Sequence, residues 1–543
     1  MQKRFLIIFV FFVLCFGTIF GQNGYEIKLS IPNAPNQTLY LGHHFGSSMY
    51  VNDTVILNAQ GVGSFNGREI LPGGMYIVYF AKTRTYFDIL LDKSQYFTVE
   101  TDTTDFMNTT KFKNSEENVL FFEYQKFLYA ENMKVSTLRD QRTANEGNEA
   151  EIKRIDEQLN VINEEVITER ERIISKYPTM FLSTFLAMTR EIEVPDAPLD
   201  ANGNPDPSFQ YYYYRAHYFD NFNFKDPRIL RTPLFEPKFK EYIEKVLPQI
   251  PDTLIAECDR LIANAEGDSA MFRFVVGTLY NTFVASQIMG MDAVFVHLAK
   301  NYYLKRVWWN DAESIEKIRE RVTAMEPLLQ GKVAPNLKML SVPADYFKKV
   351  KQDSTYSQPY NYGQYINLHD IRADYTILIF WEADCSHCKV AVPELGAMYS
   401  RLKEHNAEVV AFNMLGNEEG RVKWAEFINS HQLYDWINVW DPTYVSRYKD
   451  LYNINSSPVI ILLDKDKIIR GKKVGPDQAE ELIYEFQLRK LILDADESQH
   501  LTILKNFIGT FSTPEGKEIA KRVADRYVTL EQKEEFDKWF ENQ

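Results

Sequence analysis

The sequence predicts a multidomain protein in which a β-rich region, an all-helical region and an α/β region follow one another, closed by a short helical extension. Three observations support this prediction. The 543 residues exceed what one hydrophobic core usually organises. The hydrophobic period changes from about two to about 3.6 near residue 114. Near residue 331 apolar strands begin to alternate with helical segments.

The first region, residues 22–112, is predicted to be an antiparallel β-sandwich. Polar and apolar residues alternate in Tyr25–Ile31 and again in Gln95–Glu100, which indicates strands buried on one face. Turn-forming Asn, Pro and Gly residues separate such runs at short intervals. That spacing is typical of a sandwich.

Residues 113–330 are predicted to form an all-helical middle domain. Ser115 is a suitable N-cap ahead of two acidic residues, and apolar side chains then recur every three or four positions along two long helices. Residues 331–490 alternate apolar strands with helical segments, which predicts an α/β domain. Residues 491–543 carry short amphipathic patterns and are expected to form a helical C-terminal extension.

Residues 1–21 have the features of a secretory signal peptide. Lys3 and Arg4 precede an apolar stretch, and Gly21 is a small residue at the expected cleavage position. The stretch of about sixteen apolar residues is short for a spanning helix of about twenty, although an uncleaved N-terminal anchor is the alternative. Export to the periplasm or cell envelope is therefore expected.

The composition of the chain restricts the classes of binding partner that we expect. The net charge of −14 argues against nucleic acid and anionic membrane surfaces. Of the four cysteines, one lies in the leader, and the remaining three cannot build a disulfide scaffold. One of these, Cys258, has no partner in its helical pattern and is expected to be a small buried hydrophobe. No metal site and no cofactor are expected.

The pair Cys385 and Cys388 is the motif that predicts a chemistry. It stands between the apolar run Tyr375–Phe380 and a helical pattern that contains Pro393. Unpaired N–H groups at a helix start favour a thiolate, which is the species that attacks a disulfide. A zinc site and an inert structural disulfide are the alternatives; zinc needs four ligands, and only His387 lies close in sequence.

Four features of residues 331–490 follow one another in order: Gly331-x-x-Ala334-Pro335, Phe380-Trp381 before the cysteines, Pro393, and Ser457-Pro458. With these features the stretch resembles the thioredoxin-like fold, and within it the exported thiol-disulfide oxidoreductases related to the TlpA/ResA and AhpC/TSA groups. The β-rich and helical regions ahead of this module resemble multidomain exported proteins of Bacteroidetes. The resemblance implies an enzyme without a cofactor that acts on protein thiols and disulfides of the cell envelope, with a membrane redox partner as a further candidate.

The resemblance also implies roles for individual residues. Cys385 would attack a substrate disulfide, and Cys388 would resolve the mixed disulfide and pair with Cys385. Pro458 is a cis proline in the family and would shape a substrate groove together with Ser457. Trp381 is expected to pack beside the site in a structural role.

Other neighbours of the motif are expected to modulate it. Ser386 and His387 lie between the two cysteines, and the imidazole of His387 can place positive charge near Cys385 and lower its pKa. Glu382 and Asp384 would raise that pKa, because negative charge disfavours a thiolate. The net effect is open at this point.

Two alternatives to a disulfide-exchange enzyme remain. One is a binding or scaffold protein with a vestigial thioredoxin module, and the other is a thiol peroxidase. The sequence also departs from the TlpA/ResA pattern, because Ala391 stands where that group usually carries a Glu. The proton acceptor for Cys388 is therefore unassigned, and the direction of electron flow stays open.

Overall fold

The computed structural model describes residues 24–199, 203–352, 363–493, 495–529 and 532–542. The predicted signal peptide, residues 1–21, lies outside the described residues. The chain folds into two compact units, Met1–Gln249 with Arg260–Val275, and Ile250–Asp259 with Val276–Gln543. The region predicted as one helical domain, residues 113–330, contributes to both units, and the predicted domain boundaries stay predictions.

Within the described residues 24–199, two four-stranded sheets share one hydrophobic core. Their orders are β4-β1-β7-β8 and β3-β2-β5-β6. Burial alternates along β1, as the sequence pattern predicts. The strands are β1 (Tyr25–Ser30), β2 (Thr38–Phe45), β3 (Ser48–Ile56), β4 (Val62–Gly67), β5 (Gly74–Phe80), β6 (Tyr86–Leu91), β7 (Tyr96–Glu100) and β8 (Lys111–Lys113).

One strand pair corrects the prediction of an antiparallel sandwich. Strands β1 and β7 run parallel, with Ile27 opposite Phe97, whereas the other pairs of the two sheets are antiparallel. The alternation of polar and apolar residues reports which face of a strand is buried, and it carries no information on the direction of the neighbouring strand.

The regular elements of the described residues from 114 to 330 are helical. Helix α2 begins after Ser115, whose side chain accepts a hydrogen bond from the Asn118 N–H, so the predicted N-cap is confirmed. Phe121 and Phe122 of this helix join the sandwich core. The helices up to this point are α1 (Phe106–Thr109), α2 (Glu116–Ala144), α3 (Glu149–Lys176), α4 (Phe181–Ala187), α5 (Phe209–His217), α6 (Phe235–Glu241), α7 (Pro251–Asn264), α8 (Ser269–Ala285), α9 (Met291–Leu298), α10 (Leu304–Arg306) and α11 (Ala312–Met325).

A mixed sheet of seven described strands forms the α/β domain, in the order β10-β9-β13-β12-β11-β14-β15. The inner strand β11 pairs in parallel with β12 and antiparallel with β14. Helices cover both faces, so β11 is apolar at nearly every position. The strands are β9 (Lys338–Ser341), β10 (Gln364–Asn367), β11 (Tyr375–Trp381), β12 (Ala407–Asn413), β13 (Ile437–Trp440), β14 (Val459–Asp464) and β15 (Ile469–Lys472); the helices are α12 (Ala344–Gln352), α13 (Cys388–Glu404), α14 (Glu418–His431), α15 (Tyr448–Tyr452) and α16 (Pro476–Ile492).

The C-terminal extension is helical, as predicted, and it is part of the α/β core. Its described residues form α17 (His500–Gly509), α18 (Pro514–Ala524) and α19 (Lys533–Glu541). Phe511, between α17 and α18, lies with its ring centroid 4.5 Å from that of Tyr484 on α16. Both belong to the hydrophobic cluster that contains Cys388. The extension therefore completes the core on one side of the sheet.

Candidate functional site

The site lies between the inner strand β11 and the first long helix of the α/β domain. Strand β11 ends at Trp381, and α13 begins at Cys388. In the loop between them the Cys385 N–H donates to the Glu382 carbonyl over 3.2 Å. The Lys389 N–H donates to the Cys385 carbonyl over 3.0 Å. Cys385 is therefore held directly before the first turn of α13.

The two sulfurs have different surroundings. The Cys388 backbone N–H donates to Cys385 Sγ over 3.4 Å, and the Cys385 thiol donates to the Ser457 carbonyl over 3.3 Å. Cys385 is partly exposed, whereas Cys388 is fully buried. Both are free thiols in this structure. The disulfide between them stays a prediction for the oxidised form.

The pKa values of the two thiols are shifted in opposite directions. Partial burial alone would raise the pKa of Cys385, but hydrogen bonding with Ser457 and Cys388, together with the backbone N–H groups of Cys388 and His387, lowers it below its ordinary value. Burial raises the pKa of Cys388 to about 12, and its hydrogen bond with Cys385 adds to the effect. The thiolate therefore forms at Cys385.

The charged side chains next to the motif influence the pKa of Cys385 less strongly than the sequence suggested. The His387 side chain is exposed, and the contribution of this residue to the lowered pKa of Cys385 comes through its backbone N–H. Asp384 is exposed and forms an ion pair with Lys423 Nζ at 2.7 Å. Ser386 is exposed as well. Lys423 was not identified from the sequence, because it lies on α14 and no local pattern links it to the motif.

The Ser457–Pro458 peptide bond is cis, and it leads directly into β14. Because β14 pairs with β11, it brings Ser457 to Cys385 from 72 positions further along the chain, and Pro458 is the next residue. Trp381 is fully buried, with its ring centroid 5.0 Å from that of Phe427, in the same cluster as Cys388. The structure thus brings together the cysteines, Ser457 and Pro458, with Trp381 packed beneath them.

Other sequence interpretations can be compared with the structure. Cys258 is fully buried, and burial raises its pKa far above the ordinary range, so the interpretation as a small hydrophobe is confirmed. Over the described ranges, no three His, Cys, Asp or Glu side chains group in a way that could hold a metal ion. None of the helices in these ranges combines the length and the apolar character needed to cross a membrane.

Two family models match parts of the chain. Residues 344–472 match the AhpC/TSA family, and residues 152–327 match a domain of unknown function (DUF5106). The thiol-disulfide oxidoreductase ResA of Bacillus cereus is 25% identical over 120 residues, which cover 22% of this chain and 66% of the relative. The sporulation thiol-disulfide oxidoreductase A of Bacillus subtilis is 27% identical over 148 residues, which cover 27% of this chain and 79% of that relative.

A solved structure also matches part of the chain. It is a domain of a possible thiol-disulfide isomerase from Cytophaga hutchinsonii, 30% identical, covering 31% of this chain and 99% of that one, with a TM-score of 0.25. The chain thus spans about two thirds of the Bacillus cereus relative and nearly all of the solved domain.

A Cys-x-x-Cys pair at a strand-to-helix junction, whose first thiol contacts the residue before a cis proline, defines a thioredoxin-fold domain of the thiol-disulfide oxidoreductase class. Residues 344–472 are an AhpC/TSA-family domain. This domain makes the chain a thioredoxin-fold oxidoreductase of the TlpA/ResA-like class.

Proposed function

We propose that this protein is an exported enzyme that exchanges disulfides with proteins of the cell envelope through its Cys-Ser-His-Cys site. The difference between the two thiols is the observation that supports the proposal most strongly. Cys385 is accessible and has a lowered pKa, whereas Cys388 is buried and has a pKa raised to about 12. An attacking thiol and a resolving thiol need these properties.

The proposed reaction transfers two electrons from the cysteine pair to a substrate disulfide. The Cys385 thiolate attacks one substrate sulfur, the substrate disulfide breaks, and its other sulfur leaves as a thiolate. Cys388 then attacks Cys385 Sγ, which lies against its backbone N–H, and releases the second substrate sulfur. The products are a reduced substrate and a Cys385–Cys388 disulfide. The reverse sequence oxidises a substrate dithiol, and the partner's reduction potential sets the direction.

The accessible sulfur of Cys385 favours catalysis over a scaffold with a vestigial module. A vestigial site has no physical reason to keep one thiol accessible with a lowered pKa beside a buried one. The peroxidase alternative has no comparable support in the geometry, since nothing specific to a peroxide is seen around Cys385 among the described residues.

Reduction of insulin by dithiothreitol, followed by turbidity, tests the exchange activity. The wild-type protein should accelerate the reaction, and Cys385→Ser should abolish the acceleration. Cys388→Ser should accumulate a mixed disulfide with an insulin chain, visible on a non-reducing gel. Cys258→Ser is the matched control and should behave as wild type, because Cys258 is buried away from any partner thiol. A wild-type rate in Cys385→Ser would contradict the proposal.

Export is proposed from the pattern of residues 1–21. Expression of the full chain in a Gram-negative host, followed by osmotic shock and mass spectrometry, should yield a periplasmic protein that lacks about the first 21 residues. Retention of the intact chain in the cytoplasm would contradict export.

A further inference from the structure

Helices α2 and α3 form an antiparallel hairpin, and much of its surface is exposed. The two helices are joined by residues 145–148, and beside this turn, the tip of the hairpin, Arg142 Nε donates to Asp156 Oδ1 over 2.9 Å. The start of α2 joins the sandwich core, but beyond Tyr124 the one buried residue of this helix is Glu131. Helices in proteins gain most of their stability by packing an apolar face. The exposed part of the hairpin is therefore a candidate surface for a partner.

An open groove, the hairpin groove, runs between α2 and α3 along one side of the hairpin, and apolar atoms make up most of its lining. Phe127, Lys134 and Leu138 border it from α2, and their spacing of seven and four residues places them on one face of that helix. Val161 of α3 is 58% exposed and borders both the tip section, nearer residues 145–148, and the base section, nearer the sandwich. In helical bundles a second pair of helices covers such a groove.

The two sections of the hairpin groove differ in charge. The tip section has both cations of the groove, Lys134 and Arg154, which balance its two carboxylates. The base section has no cation among the described residues that line it, and its three carboxylates are Glu164, Glu165 and Glu169. A second hairpin that is turned end over end lays its tip section, with the cations, against this acidic section. A second hairpin in the same direction brings the acidic sections of both copies together, which is electrostatically unfavourable.

We propose that the hairpin groove binds the hairpin groove of a second copy of the chain, turned end over end, so that the protein is a homodimer with its two-fold axis beside Val161. A two-fold interface uses the same patch on both subunits, and a patch with its cations at one end and an excess of carboxylates at the other is complementary to itself. A uniformly cationic helix from another protein would match the base section and repel the cations of the tip section. The inference is independent of the disulfide exchange proposed above.

The hairpin is large enough for a stable dimer. Helix α2 has 29 residues, so its face is about 43 Å long, and two helices side by side are about 20 Å wide. The face therefore offers up to about 860 Å², which is slightly more than the area of about 800 Å² that each partner of a stable complex usually buries.

Sedimentation equilibrium of the purified protein tests the proposal. The wild-type protein should have twice the mass of one chain. Val161→Glu should raise the dissociation constant of the dimer at least about a hundredfold, because two carboxylates then meet beside the two-fold axis. Tyr129→Glu is the matched control and should stay dimeric, because Tyr129 is 55% exposed but lies about 200° around α2 from Phe127, outside the groove. Both variants should keep the far-ultraviolet circular dichroism spectrum of wild type, because the substituted positions are exposed.

Two further variants test the symmetry and the direction of the dimer. Val161→Lys alone should also be monomeric, and mixing it with Val161→Glu in equal amounts should restore a dimer, because opposite charges then meet beside the axis. Glu164→Lys should weaken the dimer, because this carboxylate faces the section of the second copy that holds the cations.

A wild-type protein that stays monomeric at every concentration tested would overturn the proposal, and so would its purification as a complex with a different protein that Val161→Glu releases. A dimer that Val161→Glu leaves intact, or Val161 variants that stay monomeric when they are mixed, would overturn it as well. A tighter dimer with Glu164→Lys would show that the two acidic sections meet, which contradicts the end-over-end arrangement.

Discussion

The two thiols of the site should react with iodoacetamide at very different rates at pH 7. Because the pKa of Cys388 is raised to about 12, only about 10⁻⁵ of it is thiolate at that pH. The pKa of Cys385 lies below its ordinary value of 9.0, so at least about 1% is thiolate. The thiolate populations alone predict that Cys385 is alkylated at least about a thousand times faster. The complete burial of Cys388 can only widen this difference.

Timed alkylation of the reduced, folded protein, followed by peptide mass spectrometry, measures both rates in one sample. Labelling of Cys385 should rise with pH along a titration curve whose midpoint lies below the ordinary thiol value, because its pKa is lowered. Cys258 is an internal control, since it is fully buried with a raised pKa and should stay unlabelled until the protein is denatured. Similar rates for Cys385 and Cys388, or a titration midpoint for Cys385 at or above pH 9, would refute the reasoning.

Two further predictions concern the elements that support the site. Arg401 on α13 binds the fully buried carboxylate of Glu480 through two hydrogen bonds of 2.8 Å. Arg401→Ala should therefore lower the free energy of unfolding by about 3–5 kcal/mol in urea titrations, because it leaves a buried charge unpaired. The double variant with Glu480→Leu should recover this stability, and an Arg401→Ala variant as stable as wild type would contradict the reasoning. Phe511→Ala should cost about 3–5 kcal/mol, because this side chain is buried in the core that contains Cys388. Leu493→Ala is the control at an exposed position, and equal effects at the two positions would argue against a packed extension.

The sequence predicts those parts of the site whose residues lie close together along the chain. The spacing of Cys385 and Cys388 places two sulfurs at one helix start whatever the rest of the chain does. Ser457 and Pro458 were identified by resemblance, and the structure brings them to the cysteines. The ion pair of Asp384 with Lys423 could not be predicted, because it depends on how α14 packs beside the loop.

For the fold, too, the features that depend on local sequence could be predicted, and those that depend on contacts between distant segments could not. The long helices α2 and α3, the strands of the α/β domain and the helical extension all follow from periodicity, which reports the face that each element buries. The parallel pairing of β1 with β7 does not follow from it, since strands far apart in the chain can pair in either direction. Nor does periodicity show that α17–α19 share a core with α13 and α16.

By itself, the sequence determined which atoms can carry the chemistry, because two cysteines three positions apart at a helix start remain neighbours in any tertiary context. The tertiary structure alone decided how those atoms differ. Burial under the helices raises the pKa of one thiol, and the strand that follows Pro458 brings the Ser457 carbonyl to the other. Burial and hydrogen bonding set a pKa, and both depend on residues up to 72 positions away.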